Sequence, residues 1–192
     1  MVPAVLIPIK SFDLAKGRLS DALSPTQRAD LAIAMATTVI AASRPLPTWV
    51  VCDNTEVATF AMARGAGVIW RPSRGLNAAV TDGFAFLRDE GHTTIVIAHA
   101  DLPRATDLTW VPDFAGVTIV PDRRGDGTNV MAVPASADFR FQYGVGSSRA
   151  HQAEALRLAL PYRIVDDARL GWDIDVPEDL SILDPATRAD TP

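Results

Sequence analysis

Apolar runs alternate with amphipathic stretches along most of this chain. Short apolar runs bounded by turn residues are typical of buried strands, whereas apolar residues three or four positions apart are typical of helices. The pattern predicts strands at residues 2–9, 48–52, 67–70, 93–100, 117–121, 129–133 and 162–165, and helices at residues 25–43, 55–64, 77–88 and 147–160. Strands and helices that alternate in this way predict an α/β fold, a three-layer sandwich around a mostly parallel central sheet.

The alternation runs through residues 1–184 without an internal repeat or a linker, and it predicts a single domain. We expect the last residues, 185–192 (PATRADTP), to form a frayed tail. The start of the first long helix is marked by Ser24, Pro25 and Gln27, which offer an N-cap, a first-turn proline and a capping-box partner.

Composition narrows the class of protein. The net charge of −5 over 192 residues argues against a general nucleic-acid binder, whose surface would be basic. Cys52 is the only cysteine, so the chain forms no intrachain disulfide, and its place at the end of an apolar run predicts a core thiol. The start lacks a basic leader, and no run reaches the roughly 18 apolar residues of a membrane helix. We therefore expect a cytoplasmic protein without a membrane partner.

The only two lysines of the chain, Lys10 and Lys16, lie in the loop after the first strand, IPIKSFDLAKGR. Every other positively charged position carries arginine, including Arg18 in the same loop. Lysine is a compact charge on a flexible stem and suits a phosphate that moves, whereas arginine is a rigid fork. Ligands of such sheets bind at the carboxyl ends of the strands, so the loop is a candidate phosphate site. An ordinary solvated basic loop is the equal alternative.

Three aspartates are candidate metal ligands. Asp101 follows the most apolar strand, and a carboxylate there can hold magnesium together with substrate phosphates. Asp173 and Asp175 are two residues apart, so in an extended segment they point to the same face. The alternatives are an acidic cap at Asp101 and, for Asp175, a capping box with Glu178.

Glycine-rich segments provide candidate anion sites. In DRRGDGTN, between two predicted strands, Thr128 offers a hydroxyl and an amide; an ordinary hairpin loop is the alternative. In YGVGSSRAH, Gly144 precedes Ser147 at the start of a helix, where free amides bind anions, although a simple serine cap explains the same residues. In RPSRGLN, Gly75 and Asn77 line a nucleoside or merely form a turn.

Missing motifs also restrict the chemistry. The three histidines lie outside any recognisable hydrolytic triad, and the chain has neither a Walker lysine motif nor a G-x-G-x-x-G after its first strand. Cations, glycine-rich loops and carboxylates without an obvious general base suit the transfer of a phosphorus group to an acceptor that is already anionic. Such reactions depend mainly on positioning and charge neutralisation.

The ordered motifs IPIKSFDLAKGRLS, RGLNAAV, ADLP, GDGTNVM, YGVGSSRAH and DIDVPEDL resemble those of the 2-phospho-L-lactate and phosphoenolpyruvate guanylyltransferases of coenzyme F-420 biosynthesis. The resemblance covers residues 7–180. It implies a Rossmann-like nucleotidyltransferase of the GT-A type that uses GTP as co-substrate and magnesium as cofactor. Its product would be a guanylylated diphosphate of a small phosphorylated acid, with pyrophosphate released.

The resemblance also implies roles for the candidate residues. Lys10, Lys16 and Arg18 would grip the triphosphate and act with Asp101 as the catalytic set, and Gly75 and Asn77 would lie near the nucleoside. Magnesium would be held by Asp101 with Asp173, Asp175 or both, and the acceptor by Thr128, Gly144 and Ser147.

The acceptor loop departs from the family pattern. The family segment usually has proline where this chain has Val145, and Ser148 and Arg149 replace residues that are often bulkier or differently charged. The resemblance therefore leaves open phosphoenolpyruvate, which we favour, 2-phospho-L-lactate and 3-phosphoglycerate. It also leaves two other functions: a nucleotidyltransferase for a molybdopterin or a sugar phosphate, and a non-catalytic GTP sensor. The sequence neither demands nor forbids a homodimer.

Overall fold

The computed structural model describes residues 2–72 and 75–182. The predicted tail, residues 185–192, and the last two residues of the predicted domain lie outside them. The strands within the described residues are β1 Ala4–Pro8, β2 Thr48–Cys52, β3 Gly67–Trp70, β4 Thr94–Ala98, β5 Val117–Pro121, β6 Thr128–Pro134 and β7 Tyr162–Ile164. The α-helices are α1 Pro25–Ala42, α2 Thr55–Ala63, α3 Leu76–Asp89 and α4 Ser147–Arg157. Short 3₁₀ helices lie at Gly17–Leu19, Val111–Asp113 and Pro177–Ile182.

The described strands form one seven-stranded sheet in the order β3-β2-β1-β4-β6-β5-β7. The pairs β3–β2, β2–β1, β1–β4 and β5–β7 are parallel. Strand β6 is antiparallel to both of its neighbours, β4 and β5. The mostly parallel sheet predicted from the apolar runs is confirmed, with β6 as the reversed strand among those described.

Each face of the sheet is covered by helices. Residues from α1 and α2 pack with Val5, Ile7 and Val96 in one buried cluster. On the opposite face, residues from α3 and α4 pack with Leu6 and Ile95 in a second cluster. Neighbouring residues of β1 thus alternate between the two clusters, as the two-residue period of a strand requires. The predicted three-layer sandwich is confirmed.

Local signals explain most element boundaries. The side chain of Ser24 accepts a hydrogen bond from the backbone N–H of Gln27, and the Gln27 side chain accepts one from the backbone of Ser24, so the predicted capping box forms. The last helix ends at Arg157, three residues before its predicted end. Ala159 adopts a left-handed backbone with φ of 51°, which a continuing helix does not allow.

The topology gathers several loops at one edge of the sheet. Because β1, β2, β3 and β4 are parallel, the loops after Pro8, Cys52, Trp70 and Ala98 leave from the same edge. Strand β6 runs the other way, so its first residue, Thr128, lies at this edge as well. No helix among the described residues has the length and apolarity to cross a membrane.

Candidate active site

Lys16 lies at the centre of the candidate site. Its ammonium group donates hydrogen bonds to Asp101 Oδ2 at 2.6 Å and to Asp175 Oδ1 at 3.1 Å. Burial opposes the charge of Lys16, but the two carboxylates outweigh it and raise the lysine pKa. The backbone of Lys16 is left-handed, with φ of 55°, which costs a non-glycine residue about 1 kcal/mol. The loop after β1 thus directs this lysine toward loops that follow distant strands.

Asp101 stands at the end of the central strand β4 with one oxygen still free to bind. Burial would raise its carboxyl pKa, but the positive charge of Lys16 prevails and lowers it, so the group is ionised. Its Oδ2 bonds Lys16, whereas its Oδ1 is buried without a hydrogen-bond partner among the described residues. A buried carboxylate oxygen without a partner is costly and points to a missing ligand.

Asp173 and Asp175 approach the same centre differently. Asp175 bonds Lys16 and lies 3.7 Å from the Arg18 guanidinium. Asp173 is 9% exposed, and burial, followed by the negative charges of Asp101 and Asp175, raises its carboxyl pKa. At the following 3₁₀ helix, Asp179 Oδ2 accepts hydrogen bonds from the backbone N–H groups of Asp175 and Val176. The Asp179 carboxylate thereby anchors the segment that carries the candidate ligands.

The carboxylates suit a magnesium ion bound with substrate phosphates. Among the described residues, no three His, Cys, Asp or Glu side chains converge on one metal position. Magnesium, however, needs only one or two protein carboxylates when phosphate oxygens complete its shell. Asp101 Oδ1 and Asp173 Oδ1 both lack a hydrogen-bond partner within the described part of the chain. Both oxygens are therefore available to bind a metal ion, and the metal assignment stays a prediction.

The three predicted cations line one cavity of about 480 Å³ at the sheet edge, together with Asp101 and Asp175. Lys10 also borders an adjoining cavity of about 170 Å³, which Arg71 and Gly75 line as well. Lys10 is exposed, and the Arg18 side chain is 77% exposed. Positive charge at the junction of two cavities is what a triphosphate with an attached nucleoside would need.

The two nucleoside candidates are placed differently. Gly75 begins α3 with φ of 94°, a backbone that favours glycine, and it lines the smaller cavity. Asn77 directs its side chain to the segment before α4. Its Nδ2 donates to the Tyr143 carbonyl at 3.1 Å, and its Oδ1 accepts from the Tyr143 N–H at 2.6 Å. The structure thus shows Asn77 holding the predicted acceptor loop, and its nucleoside contact stays a prediction.

The predicted acceptor residues lie together at the start of α4. Thr128 Oγ1 and Ser147 Oγ are 3.4 Å apart, and the Ser147 N–H donates to the Gly144 carbonyl. Thr128 is 2% and Ser147 1% exposed, whereas Val145 is 99% exposed, so the Pro-to-Val departure changes a solvated position. The helix start already holds one anion of its own, because Asp126 Oδ2 accepts the Gly146 N–H at 3.0 Å.

Sequence reasoning missed several side chains of the site. His151 hydrogen-bonds Thr128, and His99 lines the larger cavity. His151 is the last residue of the motif YGVGSSRAH but was given no role there, and His99 lies outside the quoted motifs. Arg123 forms an ion pair with Asp179 and lies over the Trp172 ring at 4.4 Å. Arg123 could have been found from its position in the glycine-rich segment DRRGDGTN.

Cys52, predicted as a core thiol, is buried, and this burial raises the pKa of its thiol.

Comparison with known proteins gives consistent matches. A family model described as "Guanylyl transferase CofC like" matches residues 3–184. The chain is 32% identical over 191 residues to phosphoenolpyruvate guanylyltransferase from Chloroflexus aggregans, covering 92% of this chain and 94% of the relative. It is 27% identical over 179 residues to 2-phospho-L-lactate guanylyltransferase from Methanocaldococcus infernus, covering 91% and 81%.

Among solved structures, the chain is similar to a nucleotide-diphospho-sugar transferase from Desulfovibrio desulfuricans G20. The TM-score is 0.78 at 14% identity, and the match covers 100% of this chain and 90% of the other. A likeness at this identity shows the fold, and it confirms the α/β architecture predicted from the sequence.

Proposed function

This chain belongs to the CofC-like guanylyltransferase family, and from that premise we propose that it transfers GMP from GTP to a small phosphorylated acid. We propose phosphoenolpyruvate as the acid, because the relative from Chloroflexus aggregans carries that name. 2-Phospho-L-lactate is the second candidate, from the name of the Methanocaldococcus infernus relative. The reaction would belong to coenzyme F-420 biosynthesis.

One observation carries the proposal beyond family membership. Lys16 joins Asp101 and Asp175 at the wall of a cavity that Lys10 and Arg18 also line. Cations and carboxylates at one sheet edge can receive a triphosphate and its metal without a nucleophilic side chain. Thr128, a proposed acceptor residue, begins β6 at the same edge, and Asn77 near the start of α3 hydrogen-bonds the Tyr143 backbone before α4.

The proposed reaction is a direct in-line displacement. A phosphate oxygen of the acid attacks the α-phosphorus of GTP and forms a new P–O bond. The bond from the α-phosphorus to the oxygen that bridges to the β-phosphorus breaks, and pyrophosphate leaves with the electron pair. The attacking phosphate is already anionic, so no general base is required.

Each group of side chains has a separate part in this step. Lys10, Lys16 and Arg18 bind the triphosphate and offset the charge that grows on the departing pyrophosphate. Asp101 and Asp173 would hold magnesium through their unpaired Oδ1 atoms. The chemistry that magnesium supplies when bound is charge neutralisation at the phosphate oxygens. Thr128, Gly144 and Ser147 would hold the acid.

The deciding experiment measures pyrophosphate release from GTP and magnesium with phosphoenolpyruvate, 2-phospho-L-lactate or 3-phosphoglycerate, each offered alone. A control reaction without the phosphorylated acid corrects for GTP hydrolysis. A parallel series includes the next enzyme of the pathway, which converts the unstable guanylylated product before it decays. Release with one acid identifies the acceptor. If no pyrophosphate is released with any of the three acids although GTP binds, the proposal is overturned in favour of another acceptor or a GTP sensor.

A further inference from the structure

His151, on the first turns of α4, is completely buried next to the proposed acceptor site. Its ring lies 4.8 Å from the Tyr143 ring and 6.0 Å from the Phe139 ring, measured between centroids. Both ring nitrogens have partners. Nδ1 lies 3.0 Å from Thr128 Oγ1, and Nε2 lies 3.0 Å from the backbone nitrogen of Gln142. The ring therefore joins helix α4, strand β6 and the segment before α4.

These partners determine where the histidine proton lies. The Gln142 backbone N–H can only donate, so Nε2 must accept and carries no proton. A neutral imidazole then has its proton on Nδ1, which donates to Thr128 Oγ1. Burial, with a smaller effect of His99, lowers the His151 pKa to about 4, so the ring is neutral near pH 7.

The charged and titratable groups around this ring do not outweigh its burial, although the negative charge of Glu154 raises the His151 pKa. Glu154, on the same helix, has its carboxylate in hydrogen bonds from Arg157 at 2.6 and 2.7 Å and from the Arg140 backbone at 2.9 Å. In the segment before α4, Tyr143 has a buried phenol oxygen, and this burial raises the pKa of the phenol. The proximity of His99, one residue after β4, lowers the His151 pKa further.

The histidine proton sets the direction of the Thr128 hydroxyl. Thr128 Oγ1 accepts the His151 bond, and the Ser147 hydroxyl is a second donor at 3.4 Å. A hydroxyl has one proton and two lone pairs, so these two bonds leave the Thr128 proton free to be donated. Phosphate and carboxylate oxygens of an ionised acid only accept hydrogen bonds. The buried network thus makes Thr128 a donor for such a group.

We propose that His151 is a positioning residue that fixes Thr128 as a hydrogen-bond donor to the anionic acceptor. The inference rests on the proposed function, since it requires that the acid binds at Thr128. His151 itself touches neither substrate. It acts through the threonine hydroxyl and through the Gln142 backbone next to Tyr143.

Two substitutions separate the two ring nitrogens. His151→Asn places an amide near the position of Nδ1 and can keep the donation to Thr128. His151→Gln places an amide near the position of Nε2 and can keep the bond from Gln142. We expect His151→Gln to raise the KM for the acid about 10-fold, as loss of a buried hydrogen bond does, and His151→Asn about 3-fold or less. Neither should change the KM for GTP more than about 2-fold, because no triphosphate contact is altered.

Thr128→Val provides the matched control. Valine keeps the shape of threonine without the hydroxyl, so adding His151→Gln to it should raise the acid KM little further. Additive effects of the two substitutions would overturn the inference, and so would a His151→Gln variant with the wild-type KM for the acid. If the wild-type protein releases no pyrophosphate with any of the acids, the proposed function is overturned and the positioning role with it.

The proton position is measured without turnover. Nitrogen-15 NMR of the histidine rings distinguishes the protonated from the unprotonated nitrogen in the free protein, and the His151→Asn spectrum assigns the signals among the three histidines. We expect His151 to carry its proton on Nδ1 at pH 7. A proton on Nε2 would overturn the inference even if every variant has the expected kinetics.

Discussion

The two halves of the proposed site handle negative charge in opposite ways. On the nucleotide side, the Arg18 side chain is 77% exposed, Lys10 is exposed, and Lys16 is held by two carboxylates. On the acceptor side, Thr128, Ser147 and His151 are at most 2% exposed and carry no formal charge near pH 7. One side uses full charges at a cavity wall, and the other uses neutral donors in a fixed buried network.

This contrast matches the two tasks of a nucleotidyltransferase. A triphosphate changes charge and position as pyrophosphate leaves, and lysine on a flexible stem can follow it. An acceptor must instead be held so that one oxygen lies in line with the α-phosphorus, and buried hydrogen bonds provide that geometry. Changes on the nucleotide side should therefore affect turnover, and changes on the acceptor side should affect the KM for the acid.

Asp101→Asn should have the largest effect. It removes the charge opposite Lys16 and one proposed magnesium ligand, so we expect turnover to fall about 1,000-fold, or about 4 kcal/mol. Asp89→Asn, at the end of α3 in an exposed pair with Arg88, is the matched control and should retain wild-type activity. Steady-state kinetics with unfolding curves measures both. Near-normal turnover in folded Asp101→Asn would refute the role of Asp101 in metal binding.

Lowering the pH should have the next largest effect, which is a loss of folding stability that arises from His151 on the acceptor side. The His151 pKa is about 4 in the folded protein and about 6.5 in an unfolded chain, so the unfolded chain alone binds this proton between those values. The contribution of neutral His151 to the free energy of unfolding is therefore complete above pH 6.5. It decreases by about 3 kcal/mol as the pH falls toward 4. Urea unfolding of wild type and His151→Asn across this range measures it. Parallel pH profiles of the two proteins would contradict the expectation.

Lys16→Gln should reduce kcat/KM for GTP about 30-fold, or about 2 kcal/mol, because one central cation is lost. Lys16→Arg should recover only part of this, since a guanidinium is longer and planar and does not fit between Asp101 and Asp175 as an ammonium does. Arg18→Gln is the exposed comparison and should cost less than about 5-fold. An equal loss for Lys16→Gln and Arg18→Gln would erase the distinction between the held and the exposed cation.

Asn77→Ala should have the smallest effect, but it decides whether Asn77 belongs to the acceptor side or to the nucleotide side. It removes both side-chain bonds to the Tyr143 backbone, so we expect the KM for the acid to rise about 5-fold, or about 1 kcal/mol. Thr81→Ala, one turn later on α3, is the control. If the KM for GTP rises instead, Asn77 contacts the nucleoside, as the family resemblance implies, and belongs to the nucleotide side.

The sequence predicted those parts of the fold and of the site that depend on residues close together along the chain. Short apolar runs bounded by turn residues mark strands, so β2, β3 and β5 have their predicted bounds. The polar residues that follow such strands could be assigned to one edge, and the structure brings Lys16, Asp101 and Asp175 together. What could not be predicted depends on partners that are distant in sequence. A histidine within a helix has no local signature of a bond to Thr128, and Asn77 has none of its bonds to Tyr143.

The reversed strand β6 helps to keep the proposed acceptor residues apart in sequence from the proposed GTP site. Residues 121–151 leave the sheet edge after β5, return along β6 and enter α4, and they carry Thr128, Gly144, Ser147 and His151 as one contiguous segment. The segment that carries Lys10, Lys16 and Arg18 belongs to the other end of the chain. We therefore expect diversification within the later segment to retarget the proposed acceptor site to a different phosphorylated acid, while the proposed GTP site is inherited unchanged.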